Sequence, residues 1–232
     1  MYPFTYPYII LLSIGSIKIY TYGVFIALGV LISIILAAKK DKRVYDLAFY
    51  AVLFSLIGAR LFYVIENNAF LDFYKFWNGG LSWYGALIGG FLGVLYYTKK
   101  NKLDLWKYAS ELSPYLALGI GIGRIGCFFN GCCYGIKSNL PWAVYYLGEL
   151  RHPTQLYLSA HGFLMFFTLR KIKNNQFAWF LILYAIGRFL IDFLRVYGTK
   201  YYGLALSQII SIFIFLIGII LLKRKVFKGI IN

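Results

Sequence analysis

Charge is scarce in this sequence. Lys, Arg, Asp and Glu make up 14% of 232 residues against 61% hydrophobic ones, and the apolar stretches are too long and too many for a soluble core. A water-soluble domain is excluded, and the chain reads as an integral membrane protein. Acids are scarcer still, eight against 24 Lys and Arg, which leaves a formal charge of +16. Two histidines, His152 and His161, and three cysteines, Cys127, Cys132 and Cys133, give no plausible tetrahedral set, since His161 falls inside an apolar span; no metal is expected. No internal repeat, low-complexity tract or linker divides the chain, so 1–232 is expected to be a single membrane domain. A cleavable signal peptide is not expected either, because the start is aromatic and uncharged and the first apolar run is long enough to span.

What is present is a series of apolar runs, roughly 17–38, 47–66, 83–98, 112–131, 154–169, 177–197 and 204–222. The third and fifth are short for a bilayer, which needs about 20 residues. Basic residues sort these runs into an orientation. Fifteen of them (Lys39, Lys40, Lys42, Arg43; Lys99, Lys100, Lys102, Lys107; Arg170, Lys171, Lys173; Lys223, Arg224, Lys225, Lys228) follow alternate spans, while Lys18, Lys75, Lys137, Arg151 and Lys200 fall on the other side. The expected fold is therefore all-α and polytopic, with seven transmembrane helices, the amino terminus outside and the carboxyl terminus cytoplasmic. Excess positive charge then reports orientation and contact with anionic membrane lipids, and a nucleic-acid partner is not expected.

Four arginines break the pattern. Arg60, Arg124, Arg188 and Arg195 lie inside or at the edge of apolar segments, where an ionised side chain is costly unless paired or hydrated. At about 1.5 Å per residue, Arg60, Arg124 and Arg188 fall in the outer halves of their spans, with Tyr22, Tyr84, Asn130, His152, Gln155 and Tyr157 towards the same side. Polar signals from six helices at one depth form a site pattern, and the ligand they suit is an anion. Simple alternatives stand beside this: Arg60 and Arg195 can snorkel to headgroups, and Arg188 with Asp192 at i+4 can be a neutralising intrahelical pair. Glycines four apart, Gly85, Gly89 and Gly93, and the run Gly119, Gly121, Gly123 and Gly126, suit close helix packing and leave room beside Arg124. Neither run sits between a soluble strand and helix, so no nucleotide fingerprint is supported. The cysteines admit small-residue packing or a disulfide, although adjacent Cys132 and Cys133 would strain against bonding each other. His161 suits an interhelical hydrogen bond, His152 either a loop anchor or a proton acceptor, and Gln155 and Tyr157 suit fastening of the same loop.

Residues 123–135, Gly-Arg-Ile-Gly-Cys-Phe-Phe-Asn-Gly-Cys-Cys-Tyr-Gly, closely resemble the signature of the prolipoprotein diacylglyceryl transferases. Further blocks agree in order: Tyr22 and Gly23; Gly58 to Tyr63 around Arg60; Gly79 to Gly85 with Gly89; Arg151 to Tyr157; and Tyr184 with Gly187, Arg188, Asp192 and Arg195. The resemblance implies a cell-membrane enzyme that uses neither metal nor soluble cofactor. It would move the diacylglyceryl unit of phosphatidylglycerol to the lipobox cysteine of a signal-peptide-bearing prolipoprotein, forming a thioether and releasing glycerol phosphate, with the active site towards the outer side. Arg124, Arg188, Tyr84 and Asn130 would then be catalytic, and Tyr22, Arg60, His152, Gln155, Tyr157, Tyr184, Asp192 and Arg195 would bind substrate. Some positions depart from the pattern. Tyr84 stands where many members have a histidine considered as the base for the thiol, and tyrosine, with a model-peptide pKa of about 10, is a poor base at neutral pH. Cys132 and Leu158 replace acids common in the family, and Cys127 replaces an asparagine. A relative acting on another phospholipid or acceptor is the alternative these changes favour. A transporter or structural bundle is the third reading, and no repeated halves support it.

Overall fold

A computed structural model describes residues 10–14, 17–68, 74 and 80–230, with the side chains of 14–18 and 224–230 excepted. Most of the long loop expected at 67–82, with Lys75 and Gly79, lies outside the described residues, as does the side chain of Lys18. The described chain is helical in the main: α1 (Thr21–Ala38), α2 (Arg43–Glu66), α3 (Trp83–Lys100), α4 (Leu105–Phe129), α5 (Thr154–Lys171), α6 (Gln176–Ile191) and α7 (Leu206–Ile230). Two small antiparallel hairpins join them, β1 (Ile10–Ile14) with β2 (Ile17–Tyr20), and β3 (Val144–Tyr146) with β4 (Glu149–Arg151). The first run therefore begins as a strand and becomes helix only at Thr21, and the second expected loop, 132–153, is partly hairpin.

The protein is a polytopic membrane protein. Five described segments are long and apolar enough to cross a bilayer: Thr21–Ala38, Arg43–Glu66, Leu105–Phe129, Gln176–Leu194 and Leu206–Lys223. The sequence pattern suggested seven. Helices α3 and α5, at 18 residues each, fall short of the same standard for a physical reason. The first ends in Lys99 and Lys100, and the second carries Thr154, Gln155, Ser159, His161 and Arg170. Each adds polar surface that hydrocarbon alone would not accommodate.

Backbone contacts divide the described chain into two compact units, one of residues 1–33 and 109–232, the other of 34–108. In the 34–108 unit, α2 and α3 pack backbone to backbone along the expected glycine stripe. A Cβ on Gly85 would meet the Gly58 carbonyl oxygen at 2.2 Å, one on Gly89 the Phe54 oxygen at 2.1 Å, and one on Gly93 the Tyr50 oxygen at 2.4 Å. Steps of four on both helices keep these contacts on one seam, so three absent side chains allow a close helix pair, and the Tyr97 hydroxyl adds a hydrogen bond to Asp46 across it at 3.3 Å. At the start of α2, Asp41 accepts from the Arg43 backbone N–H at 3.0 Å and from the Tyr108 hydroxyl at 2.6 Å.

The larger unit is held differently. Its helix α4 starts within residues 34–108, where the Asp104 carboxylate accepts from the Trp106 and Lys107 N–H groups at 2.8 and 3.3 Å. Gly121 and Gly162 bring α4 against α5, where a Cβ on Gly162 would lie 2.8 Å from the Gly121 Cα. Beside them the Ser159 hydroxyl donates to the Gly121 carbonyl at 2.7 Å. Helix α5 meets α6 at a notch: a Cβ on Gly187 would fall 2.1 Å from His161 Nε2, and that nitrogen donates to the Leu183 carbonyl at 3.1 Å. His161 is the interhelical hydrogen-bonding group its position suggested.

Candidate functional site

The signature 123–135 spans the end of α4 and the turn that leaves it. Gly131 has φ +66°, the left-handed conformation that ends a helix at low cost only in glycine. Around it, Cys132 N–H donates to the Cys127 carbonyl at 3.2 Å and Gly131 N–H to the Phe128 carbonyl at 3.1 Å. Those two bonds satisfy helix-end carbonyls and fold Cys132 back over Cys127, its thiol 3.6 Å from the Cys127 carbonyl oxygen. Asn130, the residue before the glycine, donates its backbone N–H to Gly126 at 3.0 Å, and its side chain reaches Cys132. The chain then straightens. Gly135 N–H donates to His152, His152 N–H to Ile136, Ile136 N–H to Leu194 and Val196 N–H to Tyr134. The signature is thus the middle ribbon between the 151–157 block and the residues around Arg195.

Side chains lock that ribbon. Thr154 Oγ1 donates to the Cys133 carbonyl and Gln155 Nε2 to the Cys132 carbonyl, each at 2.6 Å, so Gln155 fastens the loop as its place in sequence suggested. Arg151 lies over the Tyr134 ring at 5.2 Å, donates to the Gly135 and Tyr146 carbonyls at 3.3 Å, and pairs with Glu149 at 2.6 Å. Lys137 pairs with the other oxygen of Glu149, and holds that exposed carboxyl below its ordinary range. Trp142 Nε1 donates to the Tyr157 hydroxyl at 2.8 Å, and that hydroxyl lies 3.2 Å from His152 Nδ1. An indole only donates, so the Tyr157 hydroxyl accepts from Trp142 and holds its contact with His152 beside it. A cleft of about 420 Å³, open at its mouth, runs along this ribbon between Phe128, Phe129, Tyr134, Tyr146, His152 and Gln155.

Arg124, half-buried in the last turns of α4, faces the thiols. Its guanidinium is within electrostatic reach of Cys127, Cys133 and Tyr184, and of Tyr22 at the start of α1. Tyr184 stacks on Phe180 with ring centroids 6.1 Å apart. The Cys133 thiol also feels Arg195, so it stands between Arg124 and the second arginine group. Cys132 beside it, and burial, push Cys133 well above the ordinary thiol range. A thiol kept protonated is a poor nucleophile. All three cysteines are free.

The second group sits at the end of α6. Arg188 Nε lies 3.1 Å from Asp192 Oδ2, and Arg195 Nη1 lies 4.0 Å from Oδ1. Asp192 is 2% exposed. A carboxylate at a helix carboxyl end opposes the helix dipole, and two guanidiniums offset that. Here the intrahelical pair exists, yet it leaves capacity over. Arg188 Nη1, Arg195 Nε and Asp192 Oδ1 are buried without a hydrogen-bond partner among the described residues. A buried guanidinium N–H left unpaired is costly, and it marks a place where an anion can bind.

Tyr197 and Ser207, which join these two arginines, were missed in the sequence. Tyr197 looked like one more aromatic in a chain with 22 tyrosines. The one available signal for Ser207 was the Ser207–Gln208 polar pair at the start of an apolar helix.

Arg60 and Tyr84 belong to the 34–108 unit. Arg60 is 1% exposed, donates to the Gly80 carbonyl at 3.0 Å and lies over the Tyr63 ring at 5.4 Å. It does not snorkel. Gly80 has φ +79° and no room for a side chain, with Tyr63 2.4 Å from a Cβ position. Tyr84 is in the first turn of α3, exposed, and edge-on to Trp83 at 5.6 Å.

Among the described residues no group of three or more His, Cys, Asp or Glu is arranged to hold a metal ion. The chemistry on offer is that of the Arg124, Arg188 and Arg195 guanidiniums, the tyrosine hydroxyls near them and a mostly apolar cleft. Comparison with known proteins is consistent with such a site. Over 244 residues the chain is 34% identical to a phosphatidylglycerol–prolipoprotein diacylglyceryl transferase of Clostridium tetani, covering 94% of this chain and 98% of that one. An enzyme of the same name from Clostridium perfringens is 33% identical, covering 95% and 96%, and one from Campylobacter lari 32% identical, covering 92% of each. Residues 9–224 match the model of one family throughout, and the chain belongs to the prolipoprotein diacylglyceryl transferases.

Proposed function

We propose that this chain transfers the diacylglyceryl group of phosphatidylglycerol to the lipobox cysteine of a prolipoprotein through an anion clamp made by Arg124 and Arg188. The observation that carries the clamp is the buried, unpartnered Nη1 of Arg188 beside an Asp192 already paired through Nε. The acceptor thiol forms a bond to the glyceryl carbon of the lipid as the bond from that carbon to the phosphate oxygen breaks. Negative charge grows on the leaving glycerol phosphate, so guanidiniums fixed in a low-dielectric pocket hold the transition state more tightly than the ground state. Asn130, Tyr22, Tyr184 and Arg195 complete the wall around that charge, while His152, Gln155 and Tyr157 shape the ribbon beside it. Tyr84 orients substrate, Arg60 shapes the chain at Gly80, and no group is assigned as base.

In this reading the whole chain is one membrane-embedded transferase domain. It crosses the cell membrane seven times, α3 and α5 being the two weaker crossings, with its amino terminus outside, its carboxyl terminus in the cytoplasm and its site towards the outer side. The grouping of fifteen basic residues after alternate spans supports that orientation. The test uses purified protein in bilayers with phosphatidylglycerol and a signal peptide ending in a lipobox cysteine. Mass spectrometry should find a diacylglyceryl thioether on that peptide and none on a serine-substituted one. Lipid binding without product, where a known family enzyme turns over, would favour the altered lipid or acceptor suggested by Tyr84 and Cys132.

A further inference from the structure

Around Arg188 three kinds of partner, a phenol, a serine and a carboxylate, form a closed circuit of hydrogen bonds and one ion pair. Arg188 Nη2 lies 3.3 Å and Arg195 Nη1 3.0 Å from the Tyr197 phenol oxygen. Guanidinium groups only donate, so the phenol accepts from both. Ser207 Oγ lies 2.8 Å from the same phenol and 2.6 Å from Asp192 Oδ2. The serine has one proton, and the carboxylate beside it can only accept. Ser207 therefore donates to Asp192, and the phenol proton goes to Ser207. Asp192 Oδ2 also pairs with Arg188 Nε, as an ion pair at 3.1 Å, which closes the ring.

We propose that Tyr197 and Ser207 are positioning residues for the transfer, acting through Arg188. A guanidinium is rigid and planar, so pinning Nε on Asp192 and Nη2 on Tyr197 determines where the third nitrogen, Nη1, points. That nitrogen is the buried one without a partner. Salt bridge and phenol together aim it, and Ser207 sets the phenol by taking its proton. Burial pushes the Tyr197 hydroxyl above the ordinary tyrosine range, which keeps on it the proton the circuit requires. Gln208, next along α7, fixes the register of the serine, donating Nε2 to the Phe189 carbonyl at 3.2 Å while its Oε1 accepts from Ala205 N–H at 2.9 Å.

The proposal rests on the clamp reading of Arg188, and the test separates the two. Turnover of phosphatidylglycerol with a lipobox peptide is measured in bilayers for Tyr197→Phe, Ser207→Ala, Ser207→Thr, Arg188→Ala and Arg188→Lys. Misplacing a group by about 1 Å can cost on the order of 100-fold, so Tyr197→Phe and Ser207→Ala should lower kcat by roughly 10- to 100-fold with a much smaller change in KM. Ser207→Thr, which keeps the hydroxyl, should recover most of the loss. Adding Tyr197→Phe to Arg188→Lys should cost little more, because the aimed group is already gone. Thermal unfolding of each variant is followed in parallel, since a merely structural role would lower stability while leaving kcat per folded molecule unchanged. Should Tyr197→Phe not fold, the Ala and Thr variants of Ser207 decide alone. An unchanged kcat in Ser207→Ala, or equal losses in Ser207→Ala and Ser207→Thr, would overturn the proposal while an inactive Arg188→Ala leaves the clamp intact. An active Arg188→Ala would remove the clamp and the proposal with it.

Discussion

Arg60 and Arg188 are both removed from water, and the two differ in what surrounds them. Arg60 meets a backbone carbonyl and an aromatic face, Gly80 and Tyr63. Arg188 meets a carboxylate and a phenol, and one of its nitrogens is left over. On the proposed reading the first guanidinium holds chain and the second is kept for an anion, a difference that burial alone does not reveal. The surroundings divide in the same way, with a glycine seam holding α2 on α3 and a polar ribbon joining three distant blocks around 123–135.

The strongest way to break this contrast is to remove the clamp. Arg124→Ala and Arg188→Ala should each lower transfer by about 100- to 1,000-fold, the loss typical of one preorganised donor, with folded protein still recoverable from membranes. Arg124→Lys should stay impaired in the same assay, because a point charge does not reproduce a planar donor fork. Near-normal turnover in both alanine variants would end the distinction. Arg60→Ala should show the opposite profile: about 2–4 kcal/mol lost from unfolding stability, read by thermal melting in detergent, with kcat of the surviving fraction falling far less than in Arg188→Ala.

The seam itself gives a smaller effect. Gly89→Ala places a methyl against the Phe54 carbonyl and should cost roughly 1–3 kcal/mol, whereas Gly198→Ala, with open space around it, should stay within about 0.5 kcal/mol of the parent. Tyr84→Phe should lower turnover by about tenfold or less, the worth of one hydrogen bond. Its pH profile should still follow the acceptor thiol, which ionises near about 8.5 when unperturbed. A steep rise with pH that vanishes in the phenylalanine variant would make tyrosinate the base instead. Smallest is Asp41→Asn. The Arg43 side chain, then Tyr108, hold Asp41 below the ordinary carboxylate range. Its contribution is present above its unfolded value, 3.8, and fades as pH falls through the folded one. Exposure to solvent limits it to roughly 0.5 kcal/mol or less, so parent and variant melting curves should differ slightly at neutral pH and converge in acid.

Much of this was legible in sequence because membrane proteins restrict where charge can go. Arg124, Arg188 and Asp192 stood out against apolar runs, and Gly85, Gly89 and Gly93 announced a seam by spacing alone. The shortness of α3 and α5 was visible too, as runs short for a bilayer. What escaped notice depended on partners far apart in the chain. Ser207 matters because Tyr197 and Asp192 happen to reach it, and no periodicity encodes that meeting. Trp142 likewise carries no signal in the sequence, and its place follows from the hydrogen bond it gives Tyr157. The sequence also grouped Arg60 with Arg195 as arginines able to snorkel, since depth in an apolar run says nothing about whether the nearest acceptor is already occupied.

The notch in which His161 lies against Gly187 sets the rotational phase of α6, like a key seated in a shaft. Arg188 is the next residue along, and its charge is carried well off the helix axis. A turn of the shaft by some 20° would sweep that charge sideways by on the order of 2 Å, since even the Cα atoms stand about 2.3 Å from the axis. An interval of that size exceeds what oriented chemistry tolerates. The absent side chain at position 187 thus acts as an angular stop, and it sets the aim of a group it never touches.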